Sequence, residues 1–375
     1  MRDIRRLNNP NNDNKVIDAC SIFGAMDTMG RRFSGEGVIR ATANMRDRGN
    51  GLGGGYAVYG LYPDYAEQYA FHIMYLSEQG RRDTEAFIKD NFNLVAEEEV
   101  PTRAVPLITD PPLVRRYFFD ISHDKLGELA EDDYIVDRVM TINTKLGDSF
   151  VFSSGKDMAV FKGVGYPKDL ADYFCLEQYQ GYLWTAHGRF PTNTPGWWGG
   201  AHPFSILDWT VIHNGEISSY GINRRYLEQF GYHCTMQTDT EVVAYAVDLL
   251  IRKHHLPWEI TAKILAPHFW DSIERMSSDE QNLMLTLRQV YSSLLLNGPF
   301  AVIIARHGEM VGLTDRIRLR PLTVGEKGDR LYISSEESAI RLISPELDRA
   351  WIPMGGEPVI GRLKTADRLT AAEAK

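Results

Sequence analysis

Cysteine is scarce in this chain: three in 375 residues, at Cys20, Cys175 and Cys234. So few, so scattered, build neither a disulfide framework nor a structural zinc site, and a reducing cytoplasm is the simplest setting. The histidines His187, His202, His213 and His233 follow no metal-ligand spacing, so no metal is expected. No apolar run is long enough to span a bilayer. The first 19 residues, MRDIRRLNNPNNDNKVIDA, lack the apolar stretch of a secretory signal. Basic excess is missing too: 41 Lys and Arg against 50 Asp and Glu leave a net charge of -9, with no basic stripe. Nucleic acid is therefore not an expected partner, and neither is a membrane. There is no internal repeat and no low-complexity tract. What remains is 43% hydrophobic and 24% charged, enough for a large core in two or three domains, or in one with insertions.

The pattern of elements predicts strands at 20–26, 56–59, 68–76, 150–152, 158–161, 182–186, 209–213, 300–306, 309–314 and 331–334, with extended chain at 93–100. Helices are predicted at 38–48, stopped by Gly49, and at 84–92, 132–145 and 239–253, with 257–290 mostly helical. Thr238 is the expected N-cap of the helix at 239–253. Strands, then helices, then strands, without a βαβ rhythm, predict an α+β layered sandwich rather than a doubly wound sheet.

Several short motifs carry two readings each. Gly49, Gly51 and Gly54 spell G-x-G-x-x-G, but a helix precedes them and a strand follows, the reverse of a dinucleotide site. They read instead as a backbone crossing that needs small residues. Asn214-Gly215 after an apolar strand is a hairpin signal, or a pair of donors for an oxyanion. Arg189, on a Gly- and Pro-rich loop, is a surface ion-pair former or a clamp for a substrate carboxylate. Asp239 is a first-turn acid favoured by the helix dipole, or a counter-ion for a substrate ammonium. The histidines read as structural or as supporting a site, Trp197-Trp198 as loop packing, and Cys175 and Cys234 as inert thiols.

The motifs also recur in one order: CSIFG at 20–24, Arg48-Gly49, HGRFPTNT at 187–194, AHPF at 201–204, HNGEI at 213–217 and TDTE at 238–241. This series resembles the class II glutamine amidotransferases, which are N-terminal-nucleophile hydrolases. It looks most like the amidotransferase domain of glutamate synthase. TDTE is also similar to the corresponding stretch of phosphoribosylpyrophosphate amidotransferase. The resemblance runs from Cys20 to about residue 340 and includes DRIRLRPL at 315–322.

The resemblance implies a four-layer αββα sandwich and a nucleophilic Cys20 that must become the N-terminus. Residues 1–19 would be a leader, 20–345 the amidotransferase domain with a family-typical insertion at about 61–147, and 346–375 a C-terminal extension. It implies Asn214 and Gly215 as oxyanion donors, Arg189 and Asp239 as anchors for the two ends of L-glutamine, and Thr192 and His213 as lesser contributors. Arg48 is expected to order the nucleophile loop. The product would be glutamate and ammonia. No flavin, nucleotide or iron–sulfur motif is visible, so no cofactor is expected in this chain. FMN and iron–sulfur are implied only on a separate glutamate-synthase-type subunit, in a hetero-oligomer. Two alternatives stay open: a silent glutamine-binding subunit that keeps its leader, and an amidotransferase serving an N-substituted glutamate synthase.

Overall fold

Strand Ser21–Asp27 is buried along its whole length and lies at the centre of an antiparallel sheet. The computed structural model that shows this describes residues 19–190 and 196–364. The run is apolar rather than alternating because both of its faces are covered. Seven strands make this sheet, in the order Arg349–Trp351, Thr323–Lys327, Arg330–Ser334, Ser21–Asp27, Leu183–Gly188, Gly54–Tyr59 and Met158–Gly163. A second antiparallel sheet has five, in the order Phe204–Ile206, Trp209–Gly215, Phe300–Arg306, Glu309–Thr314 and Val359–Arg362.

The two sheets pack face to face. Ile212, Ala301 and Ile303 of the second share one apolar cluster with Ile22, Phe23 and Ile333 of the first. Contact is so close at Gly24 that a Cβ there would stand 2.7 Å from Met310 Sδ. Helices Glu36–Asn44, Pro167–Tyr173 and Glu337–Ile343 cover the outer face of the first sheet, and Thr240–Val247 covers that of the second. The result is an αββα sandwich, the N-terminal-nucleophile hydrolase architecture.

The stretch expected as an insertion, with Ser149–Ser153 just beyond it, forms a four-stranded sheet ordered Asn93–Glu99, Leu113–Asp120, Tyr69–Tyr75 and Ser149–Ser153, with helices Glu78–Asn91 and Glu131–Lys145. The part expected as an extension after 345 belongs to the sandwich instead. Arg349–Trp351 pairs with Thr323–Lys327 and Val359–Arg362 with Glu309–Thr314, so it gives an edge strand to each sheet. Residues 1–18 of the expected leader, the tail 365–375 and Thr192 lie outside the described residues.

Other boundaries move for local reasons. The helix expected at 38–48 is Glu36–Asn44 followed by a 3-10 turn, Arg46–Arg48. The stretch 257–290 breaks into Trp258–Leu265, Trp270–Ile273 and Ser278–Tyr291, interrupted at Pro267 and restarted by a capping box of Ser277 and Glu280. Helix Thr240–Val247 takes Asp239, not Thr238, as its cap residue, and passes into a π-turn at Asp248–Lys253. The Asp239 carboxylate does not cap its own helix; it accepts the Ile217 N–H instead. Among the described residues no helix is long and apolar enough to cross a membrane.

Candidate active site

Cys20 immediately precedes the central strand, and its neighbours fix it there. Arg48 Nε donates to the Cys20 carbonyl at 3.1 Å while Arg48 Nη1 reaches Glu336 Oε1 at 3.0 Å. The Phe190 N–H donates to Cys20 Sγ at 3.3 Å. Burial pushes the thiol pKa up. The Phe190 N–H and the Arg189 charge pull it down, Asp239 pushes it up again, and Arg320 pulls it down; the net direction is upward. The thiol is therefore protonated at neutral pH, and a nucleophile here needs a base.

Arg189 follows strand Leu183–Gly188 and is buried, its N–H held by the Gly53 carbonyl at 2.9 Å. The glycine-rich stretch makes room for this crossing. A Cβ at Gly53 would stand 3.0 Å from Arg189 Cδ, and one at Gly55 would stand 2.4 Å from the carbonyl oxygens of both His202 and Phe161. A helix does precede these glycines and a strand follows, in agreement with the close-crossing reading.

Strand Trp209–Gly215 sends alternate side chains to opposite faces. Ile212 joins the cluster between the sheets, and Val211 joins the helix-side cluster. Asn214 therefore faces the side of Ile212, and His213 the helix side. His213 Nδ1 stands 3.0 Å from Thr240 Oγ1 and 3.7 Å from Asp239 Oδ1. Asn214 is 1% exposed, and neither Nδ2 nor Oδ1 has a hydrogen-bond partner among the described residues. An unpaired buried amide is costly, and two such atoms point to something that arrives later. Gly215 has φ +142°, and a Cβ there would fall 2.0 Å from the Pro299 carbonyl oxygen. Only glycine fits.

Asp239 accepts the Ile217 N–H at 2.7 Å. Burial pushes its carboxyl pKa up, but the His213 ring, the Ile217 N–H and the Thr240 hydroxyl outweigh that and hold it below the usual range. It is a partly buried carboxylate that stays ionised. Behind it, His202 Nε2 lies 2.7 Å from Thr240 Oγ1, and the His187 and His202 rings stack at 4.0 Å. Burial keeps both neutral, with His187 lowered to about 3.

Cys20, Arg189, His213, Gly215 and Asp239 all line one cavity of about 200 Å³, smaller than the ~300–1,000 Å³ of drug-sized sites. It offers a thiol at one point and a cation and an anion at others; Asn214, expected as an oxyanion donor, is not among its lining residues. That set suits a small zwitterion presented to a sulfur nucleophile. Cys175 and Cys234 are elsewhere: Cys175 Sγ accepts from Arg103 Nε at 3.2 Å, and Cys234 packs in the helix-side core.

Two further buried charges were given no site role from the sequence, although Glu241 stands in the TDTE motif. Glu241 accepts the N–H groups of Thr235 and Met236, each at 2.9 Å, and the Tyr245 hydroxyl at 2.9 Å. It pins the segment that leads into Asp239. Lys162 Nζ donates to the Gly199 carbonyl at 2.9 Å, next to Gly200, which lies against Arg189 Nη1. Burial moves Glu241 up to about 7 and Lys162 down to about 7. For Lys162 the only sequence signal was a charge inside an otherwise apolar element.

The αββα sandwich thus sets the Cys20 thiol at the head of its central strand, beside a cavity that the Arg189 and Asp239 side chains also line. The model for class II glutamine amidotransferases matches residues 64–237. An uncharacterized protein of Archaeoglobus fulgidus is 58% identical over 365 residues, 96% of each chain. A putative glutamine amidotransferase of Methanothermobacter thermautotrophicus is 24% identical over 330 residues, 86% of this chain and 93% of that one. Among solved structures, glutamine phosphoribosylpyrophosphate amidotransferase from B. subtilis superposes with a TM-score of 0.42 at 15% identity, over 92% of this chain and 47% of that one. Over residues 64–237, a little under half of its length, the chain matches the class II glutamine amidotransferases.

The Glu241 anchor gives a direct expectation. Glu241→Ala strands two backbone N–H groups, worth ~1–3 kcal/mol each when buried, and loosens the approach to Asp239. KM for glutamine should rise about tenfold or more, with kcat little changed. Glu241→Gln, which still offers one acceptor oxygen, should recover part of the loss; steady-state kinetics on the three proteins checks this.

Proposed function

We propose that the chain hydrolyses L-glutamine to L-glutamate and ammonia through a thioester on Cys20, and delivers the ammonia to a separate glutamate-synthase-type subunit that carries the FMN and iron–sulfur groups. The cytoplasm is its proposed setting. The observation that carries the reading is the convergence of Cys20, Arg189, Gly215 and Asp239 on one small cavity.

In this reading the leader 1–19 is removed, because an internal Cys20 has an amide nitrogen, which is no base. A free α-amino group, pKa ~7.7–8.0 unperturbed, takes the thiol proton as Sγ attacks the side-chain amide carbon. Asn214 Nδ2 and the Gly215 N–H receive the oxyanion. The amino group then returns its proton to the leaving nitrogen, and ammonia departs. Water, deprotonated by the same amine, cleaves the thioester to glutamate and restores the thiol. Arg189 holds the α-carboxylate, Asp239 holds the α-ammonium, and His213 orients Asp239. Thr192 is proposed as a lesser contact.

Kinetics separates these roles. Charge-assisted contacts exist equally in ground and transition states, so Arg189→Ala or Asp239→Asn should raise KM by ~10–100-fold. Oxyanion contacts strengthen only as charge develops, so Asn214→Ala should lower kcat by about 10²–10³ with KM nearly constant. The reverse split would reassign both sets of residues.

A further inference from the structure

Several exposed apolar side chains gather around two clefts outside the cavity that Cys20 lines. Two adjoining clefts, about 260 and 230 Å³, share Pro267. Phe269 and Trp270 stand between them, and Ile317 and Leu319 border the second. Exposure across this face runs from 41% at Phe269 to 58% at Leu319. A contiguous apolar patch of this kind, with Trp and Arg in it, is the composition of an interface centre.

We infer that this face docks a separate protein subunit through a surface that is apolar at its centre and rimmed by carboxylates. The inference rests on the proposed delivery of ammonia to a partner. Its chemistry is set by three arginines. Arg316 lies over the Phe269 ring at 4.1 Å and Arg288 over Trp270 at 3.9 Å. Arg316 and Arg318 donate to the carbonyls of Pro267 and Pro353, at 3.3 and 3.4 Å, and Arg288 to that of His268. None of the three pairs with a carboxylate among the described residues, in a protein whose net charge is -9. The one acid lining either cleft, Asp315, is committed to the N–H groups of Phe300, Ile317 and Leu319.

The same charges argue against a second copy of this chain as occupant. A two-fold contact pairs a patch with itself, which would set these arginines against their own copies with no acid between them. A heterologous, acidic-rimmed partner resolves that.

The face also touches the reaction centre from behind. The second cleft is lined by Asn297, Gly298 and Pro299. The Asn297 carbonyl accepts the Ser218 N–H at 2.8 Å and the Pro299 carbonyl accepts the Glu216 N–H at 3.0 Å. Pro299 is also the residue that leaves Gly215 no room for a side chain. A partner seated here packs against the turn that holds the proposed oxyanion donor, so docking and turnover are coupled.

The test starts with the chain tagged in its native host. The co-purifying subunit is identified by mass spectrometry, isolated and recombined with purified variants. Wild type should bind it and gain glutaminase activity. Ile317→Glu combined with Leu319→Glu should bind about thirtyfold or more weakly, the scale of an interface hot spot, and lose the gain. Arg316→Glu should slow association and flatten its salt dependence. Leu107→Glu, at an exposed apolar position beside the insertion sheet, should behave as wild type, and the basal glutaminase rates of all variants report intact folding. Equal binding by wild type and the double variant would overturn the docking face while leaving the delivery reading intact. Self-association abolished by the double variant would make a second copy the occupant. Full activity alone, with no co-purifying subunit, would overturn the delivery reading itself.

Discussion

Cys20→Ala leaves glutamine turnover at background, a fall in kcat of about 10⁴–10⁶, the scale seen when a covalent nucleophile is removed. Cys175→Ala and Cys234→Ala keep it. The contrast follows from position. Cys20 Sγ opens on the cavity shared with Arg189 and Asp239. Cys175 sits under the Arg103 guanidinium, and the Cys234 thiol is pushed up by burial, with Glu241 adding to the push. The Cys20→Ala protein should still bind glutamine, because neither proposed anchor, Arg189 or Asp239, is touched. Isothermal titration of that variant with glutamine, beside a turnover assay of all three, checks both halves.

Keeping residues 1–19 should also cost activity, though less. The buried thiol is pushed upward, and a positioned general base contributes typically ~10²–10⁴-fold. A chain that starts at Cys20 should therefore turn over glutamine faster than the uncleaved chain by about that factor. Its rate should rise with pH as the α-amine loses its proton, through ~7.7–8.0 if that pKa is unperturbed. The comparison is between a fusion cut to leave Cys20 first and the same fusion uncut, each verified by intact mass. Equal rates would remove the α-amine from the mechanism.

The layered α+β fold was legible because its central strands are plain apolar runs between turn signals. The residues that meet at the cavity stood out where motifs end elements: Cys20 before a strand, Arg189 and Gly215 at strand ends, Asp239 at a helix start. Elements without a clean apolar stripe escaped. Leu113–Asp120 carries Arg115 and Arg116 mid-strand, which reads as polar until Glu98 pairs with Arg116 across the sheet at 2.8 Å. Tyr220–Glu228 buries only Asn223 and Leu227, and Pro167–Tyr173 is two turns long. The edge strands Arg349–Trp351 and Val359–Arg362 are short and half exposed, so they resembled a tail. The roles of Lys162 and Glu241 escaped for a different reason. A single charge in an apolar element does not say which distant backbone its head will reach, and the Gly199 carbonyl is 37 positions from Lys162.

The most direct test is peptide mapping of active enzyme after reaction with a glutamine analogue bearing an electrophile at the γ-carbon. The account predicts one label per chain, on Cys20, in a peptide whose first residue is Cys20, with loss of activity in step with labelling and protection by glutamine. Label on Cys175 or Cys234, or full labelling of an active chain that still carries Ala19, would contradict it.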